Sequence, residues 1–150
     1  MFERIINNTY LLLAARIIVG LMFIIVGIGK ISNSAEFAKE IGNYGLLPEQ
    51  LLNIAAISVA WIELLVGLFF LFGLEIKANG LIIFALLFVF TSAITIAVAQ
   101  GLNINCGCYS NIASQKVGLP KILENIGLMI LTLIVLMSKN DKWTLRYGNN

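Results

Sequence analysis

The sequence predicts an all-α fold: an integral membrane four-helix bundle with a short interfacial helix after the first span. Three observations predict it. Of 150 residues, 59% are hydrophobic and only 12% charged, against roughly 45–50% apolar and about 25% charged residues in soluble domains. The apolar residues gather in four runs, Tyr10 to Gly29, Leu51 to Phe72, Ala78 to Ala99 and Ile122 to Met137. Each run is continuously apolar rather than alternating, which fits helices that close their backbone bonds internally and not the strands of a barrel.

The first three runs have 20, 22 and 22 residues, enough to cross a hydrocarbon core of about 30 Å at about 1.5 Å per residue. The first is too long for the apolar region of a secretory leader, contains Arg16 and lacks an Ala-x-Ala-like site, so it is expected to remain in the mature protein. Between the first two runs, Asn33 stands three residues before Glu36 as a capping pair, and Phe37, Ile41 and Tyr44 share one helical face. That pattern predicts an interfacial helix packed over the bundle or a lid, ended by Gly45 and Pro48. The fourth run has 16 residues. Either Leu119 to Lys121 extend it, with Pro120 in its first turn, or its amino end starts below the surface. The expected organisation is one four-span domain over residues 1–150, with spans near 10–29, 51–72, 78–99 and 119–138.

Four spans put both termini and the Gly73 to Lys77 turn on one side, with Arg4, Lys77, Lys139, Lys142 and Arg146, five cations against Lys30, Lys39, Lys116 and Lys121 on the other. The bias places the termini in the cytoplasm of an inner-membrane protein and the loop before the fourth span outside. A net charge of +2 without a Lys/Arg run excludes a nucleic-acid footprint, and the absence of histidine excludes His-based catalysis, metal ligation and haem ligation.

Arg16 and Glu63 fall inside apolar runs, where an unpaired charge costs at least about 2.5–3.5 kcal/mol. Counted from the inner ends of their spans they sit at similar depths, which predicts an Arg16–Glu63 ion pair between neighbouring helices. Gly20, Gly27, Gly67 and Gly73 suit close helix approach. Thr91 and Thr95 suit hydrogen bonds to their own helix. Trp61, together with the Met and Phe residues, reads as core packing, and Trp143 as an interfacial anchor.

The two cysteines form Cys106-Gly107-Cys108 in the polar stretch before the fourth run. A disulfide there closes a very short loop, for which Gly107 supplies backbone freedom. Strain makes such a bond easily reduced, and strained, exposed disulfides tend to be catalytic or regulatory. Thiol–disulfide exchange by Cys106 and Cys108 is the leading reading; a structural disulfide and soft-metal binding by Cu(I) or Zn(II) stand beside it. Two thiolates without histidine are too few for a closed metal site.

Arg16, Gly20, Phe23, Gly27 and Lys30, then Phe37, Tyr44, Leu47 and Pro48, then Trp61, Glu63 and Gly67, and finally Gly101 with Asn105-Cys106-Gly107-Cys108 form a pattern over nearly the whole chain. In it the chain resembles the MauE/DoxX-like family of redox-associated four-helix membrane proteins. It differs in carrying Tyr109-Ser110 where the family continues with Phe-Gly, and Glu124-Asn125 where relatives carry Arg-Asn. The resemblance implies redox partnership with a secreted or thioredoxin-like protein, with Lys30, Tyr44 and Gly107 supporting the Cys106/Cys108 pair. The residues specify no cofactor; analogy with other four-helix disulfide-forming membrane proteins suggests a quinone as electron acceptor. A non-catalytic assembly or maturation factor with a structural disulfide is the alternative function, and a small transporter or metal-handling protein using Arg16 and Glu63 a third.

Overall fold

The structure is a computed structural model that describes residues 9–45, 47–99 and 119–138. The described elements are all helical: α1 (Thr9–Ser32), α2 (Ser34–Asn43), α3 (Glu49–Phe72), α4 (Ile76–Ala99) and α5 (Leu119–Met137). Stretches of 24, 24, 21 and 18 residues in α1, α3, α4 and α5 are long and apolar enough to cross a membrane. The protein is a multi-pass membrane bundle. Its outward-facing residues are themselves apolar, as Ile17, Ile25 and Ile28 on α1 or Leu81 and Phe88 on α4 illustrate, which is what a lipid solvent requires.

α1 and α3 form the closest pair. A Cβ on Gly27 would stand 2.9 Å from the Leu64 nitrogen, and one on Gly67 2.9 Å from the Phe23 Cβ. Glycine at both positions therefore lets two backbones approach where a methyl group would drive them apart. Gly73 acts differently: at φ 77° it ends α3 in the left-handed region, with Leu74 N–H donating to Phe69 O and Gly73 N–H to Phe70 O. Around this pair the core contains Val19, Phe70 and Ile83, with Val135 of α5 completing it. Thr91 and Thr95 donate to the carbonyls of Leu87 and Thr91, as their spacing predicts. Leu119 and Pro120 do extend the last helix.

Gly20 meets Leu71 and Gly67, while Gly27 meets Leu64. This register staggers the two helices. Ser32 ends α1 opposite roughly residue 59, so about ten residues at the start of α3, some 15 Å on the helical rise, stand beyond it. α2 fills the flank of that overhang, packing Phe37 and Ala38 on Ala56, with Ile41 and Leu52 alongside. Asn33 occupies the N-cap position of α2, but its side chain makes no capping bond. The turn is carried by backbone instead, Asn33 N–H donating to Gly29 O and Phe37 N–H to Asn33 O.

Two packing expectations are overturned. Trp61 is 51% exposed and faces outward from the bundle, because the buried face of α3 runs through Ala56, Ala60, Glu63 and Gly67. Phe37 and Phe90 are not plain filling either, since both lie against a buried cation.

Candidate functional site

Lys30, in the last turn of α1, is 1% exposed, and Glu63, midway along α3, is 2% exposed. Lys30 Nζ donates to Glu63 Oε1 at 2.8 Å. The ammonium also lies 4.4 Å from the centre of the Phe37 ring of α2 and 4.2 Å from that of Phe90 of α4. Aromatic faces attract a desolvated cation electrostatically. One side chain thus ties α1 to three other helices.

The expected Arg16–Glu63 pair is not formed. Arg16 instead donates through Nε to Phe70 O at 3.4 Å and through Nη2 to Leu71 O at 3.1 Å. The stagger explains the correction. Comparing depths from the span ends assumes level helices, whereas the actual register sets Arg16 against the C-terminus of α3 and leaves Glu63 about two turns away, level with Lys30. At that terminus the guanidinium meets the last carbonyls of the helix, of which Phe70 O also accepts from Gly73 N–H, and the negative end of the helix dipole.

Beside Lys30, α2, α3 and α4 line a partly open cavity of about 300 Å³, walled by Phe37 and Tyr44, by Ala55 and Val59, and by Phe90 and Ala93. Glu40 of α2 reaches it too. Sequence reasoning missed Glu40, although it stands three residues after Phe37 and four before Tyr44 on the same helical face. The residue is 7% exposed and its Oε2 has no hydrogen-bond partner among the described residues. Burial pushes the Glu40 carboxyl above the usual carboxylate range and Glu36 adds repulsion, partly opposed by attraction to Lys30. Between the ordinary and the raised value the folded chain holds a proton that the unfolded chain has lost, so stability falls as pH rises through that window and is level below it. Thermal unfolding in detergent across this range should show the fall in wild type and its absence in Glu40→Gln; an identical slope in both would refute it.

A second, smaller cavity of about 30 Å³ lies on the other side of the ion pair, lined by Glu63, Asn125 and Glu124 among others. Glu63 Oε2 and Asn125 Nδ2 have no hydrogen-bond partner among the described residues. The space is that of about one water. Lys121 and Glu124, at the start of α5, are paired at 2.9 Å beside it.

Of the residues singled out in the sequence, Lys30, Phe37, Tyr44, Leu47 and Glu63 therefore converge on one site. Arg16 lies apart from it. Cys106, Gly107 and Cys108, like Trp143, lie outside the described residues. The segment carrying the cysteines joins Ala99 of α4 to Leu119 of α5. Both helix ends are at the Lys30 end of the bundle, since Phe90, Lys121 and Glu124 all neighbour Lys30 there.

The model of the family described as methylamine utilisation protein MauE matches residues 8–138. Among curated proteins, the chain is 29% identical over 123 residues to the methylamine utilization protein MauE of Paracoccus denitrificans, covering 81% of this chain and 66% of that protein. It is 30% identical over 104 residues to the protein of the same name from Methylorubrum extorquens, covering 69% of this chain and 56% of that one. The chain thus spans just under two thirds of the length of one relative and little over half of the other. No solved structure matches.

Proposed function

Because the chain belongs to the MauE family, we propose that it is a membrane thiol–disulfide redox protein whose Cys106/Cys108 pair exchanges electrons with a secreted or thioredoxin-like partner. The observation that carries this reading is that the segment holding both cysteines is tethered by α4 and α5 at the bundle end where the buried Lys30–Glu63 pair and the larger cavity lie. In this reading the Lys30 end faces the extracytoplasmic side of the inner membrane and the termini face the cytoplasm, a setting in which a disulfide persists. Participation in methylamine utilisation, the role printed in the names of its relatives, belongs to the same proposal.

Exchange balances without further reagents. A partner thiolate attacks one sulfur of the Cys106–Cys108 disulfide and forms a mixed disulfide. The partner's second thiolate then closes its own disulfide, leaving Cys106 and Cys108 as thiols with the two electrons and, after protonation, two protons.

Thiol trapping tests this directly. Cys106→Ser and Cys108→Ser, made separately, should each abolish turnover, and one of them should accumulate a mixed disulfide with a defined protein that reductant releases. A membrane-impermeant maleimide should reach the remaining thiol from outside the cell. A Cys106–Cys108 bond that stays closed under mild reductant, or thiols labelled only from the cytoplasm, would overturn the reading.

A further inference from the structure

We propose that the partly open cavity of about 300 Å³ between α2, α3 and α4 holds part of one acyl chain of a membrane phospholipid. α3 and α4 are joined by the turn at Gly73, and the cavity lies toward their other ends, between Ala55 and Val59 on one helix and Phe90 and Ala93 on the other. α2 lines it with Phe37 and Ile41.

The walls select an apolar occupant. Nearly all of the lining is aliphatic or aromatic, and the charged groups at its edge are engaged or shielded. Lys30 Nζ is bonded to Glu63 Oε1 and lies against the Phe37 and Phe90 rings. Glu40 is 7% exposed, and its Oε2 is buried. A water placed here would lack the roughly three hydrogen-bond partners that hold a buried water. An empty space costs stability in proportion to its volume, and a polar ligand would lose its hydration without replacement bonds. A hydrocarbon chain fills the space with dispersion contacts and gives up no hydrogen bond. The volume is that of about ten waters at liquid density, so it takes a comparable number of methylene groups and not a whole lipid.

The surroundings make the bilayer the source of that chain. Val89 and Leu47, which line the cavity, are themselves exposed. The cavity is therefore continuous with the outer surface of α4, where Phe88 is exposed as well, in a bundle whose spans face lipid. A chain of a neighbouring phospholipid enters from the side without leaving the hydrocarbon layer. Seated against Phe37 and Phe90, it keeps water from the Lys30–Glu63 pair that those rings flank. The inference is independent of the thiol–disulfide reading.

The test uses the full chain in phospholipid nanodiscs that contain phosphatidylcholine with a diazirine within one acyl chain. After photolysis, peptide mapping of the unaltered protein should find label on the half-buried Val59 and Phe90, beside the general label on lipid-facing Ile17 and Leu81. Ala55→Phe and Ala93→Phe, which fill the cavity, should cut the label at Val59 and Phe90 by roughly fivefold and leave that at Ile17 and Leu81 unchanged. Phosphatidylglycerol carrying the same diazirine chain should give the same pattern, because the chain and not the headgroup is held. The double variant Cys106→Ser/Cys108→Ser should label as wild type does, so failure of this site and failure of the redox reading are told apart. Four results would overturn the proposal. They are no lipid label at Val59 and Phe90 in the unaltered protein, as when residues 100–118 or a second copy fill the space; marking of those residues by a water-soluble carbene precursor instead; unchanged label in folded Ala55→Phe and Ala93→Phe proteins; and dependence on headgroup charge.

Discussion

Replacing Lys30 by Met while Glu63 remains should lower folding stability by about 3–5 kcal/mol, the usual consequence of stranding one member of a buried ion pair. Both side chains are almost completely enclosed, and the ammonium bonds directly to Glu63 Oε1. The carboxylate has no other bonded partner among the described residues, since its second oxygen is unpartnered. Lys30→Met also empties the space between the Phe37 and Phe90 rings of its positive charge. Glu63→Leu should be comparably harmful, leaving the cation with aromatic faces alone. The double variant Lys30→Met/Glu63→Leu should recover most of the loss, because an apolar pair of similar volume often replaces a buried ion pair at little cost. Unfolding in mixed micelles checks all three proteins. Single variants as stable as wild type would show that the pair contributes nothing, and a double variant no better than the singles would point to packing rather than charge.

Arg16→Ala should be the next most damaging change, at about 1 kcal/mol, the lower end for an unsatisfied carbonyl because the bond to Leu71 O is only partly buried. The Leu71 carbonyl bears most of this loss, because Phe70 O also accepts from Gly73 N–H. Arg16→Lys should restore part of it, supplying a point charge at the helix end without the planar fork that reaches two carbonyls. The exchange Arg16→Glu/Glu63→Arg separates this arrangement from an Arg16–Glu63 pair. A direct pair would survive exchange, whereas here it places a carboxylate against the negative end of α3 and an arginine against Lys30, so the protein should insert poorly. The same micelle unfolding assay, with membrane yield beside it, distinguishes the outcomes.

The elements themselves were legible because continuous apolar runs leave helices as the only spanning solution. Gly20, Gly27 and Gly67 announced the tight α1–α3 contact, and Thr91 and Thr95 their own backbone bonds. Register was not legible. An apolar helix carries little record of how far its neighbour slides along it, so equal depths pointed to Arg16 as the partner of Glu63, whereas the stagger brings Lys30 there. Trp61 was misplaced for a related reason: in a span apolar all round, hydrophobicity does not mark the buried face. Glu40 was hidden because a carboxylate on a short amphipathic helix reads as solvated until a third helix covers it.

The stagger has a consequence for the surrounding bilayer. α1 and α3 each run 24 residues, about 36 Å, and offset by roughly 15 Å they reach about 50 Å from tip to tip, well beyond a hydrocarbon slab of about 30 Å. Glu49, Gln50 and Asn53 crown the protruding tip of α3, a composition at home among phosphates and glycerol esters. A bilayer that covers the apolar lengths of both helices is expected to thicken locally, or the helices to tilt. Such hydrophobic mismatch is relieved by matching lipid length, so the behaviour of this protein should track the thickness of its membrane.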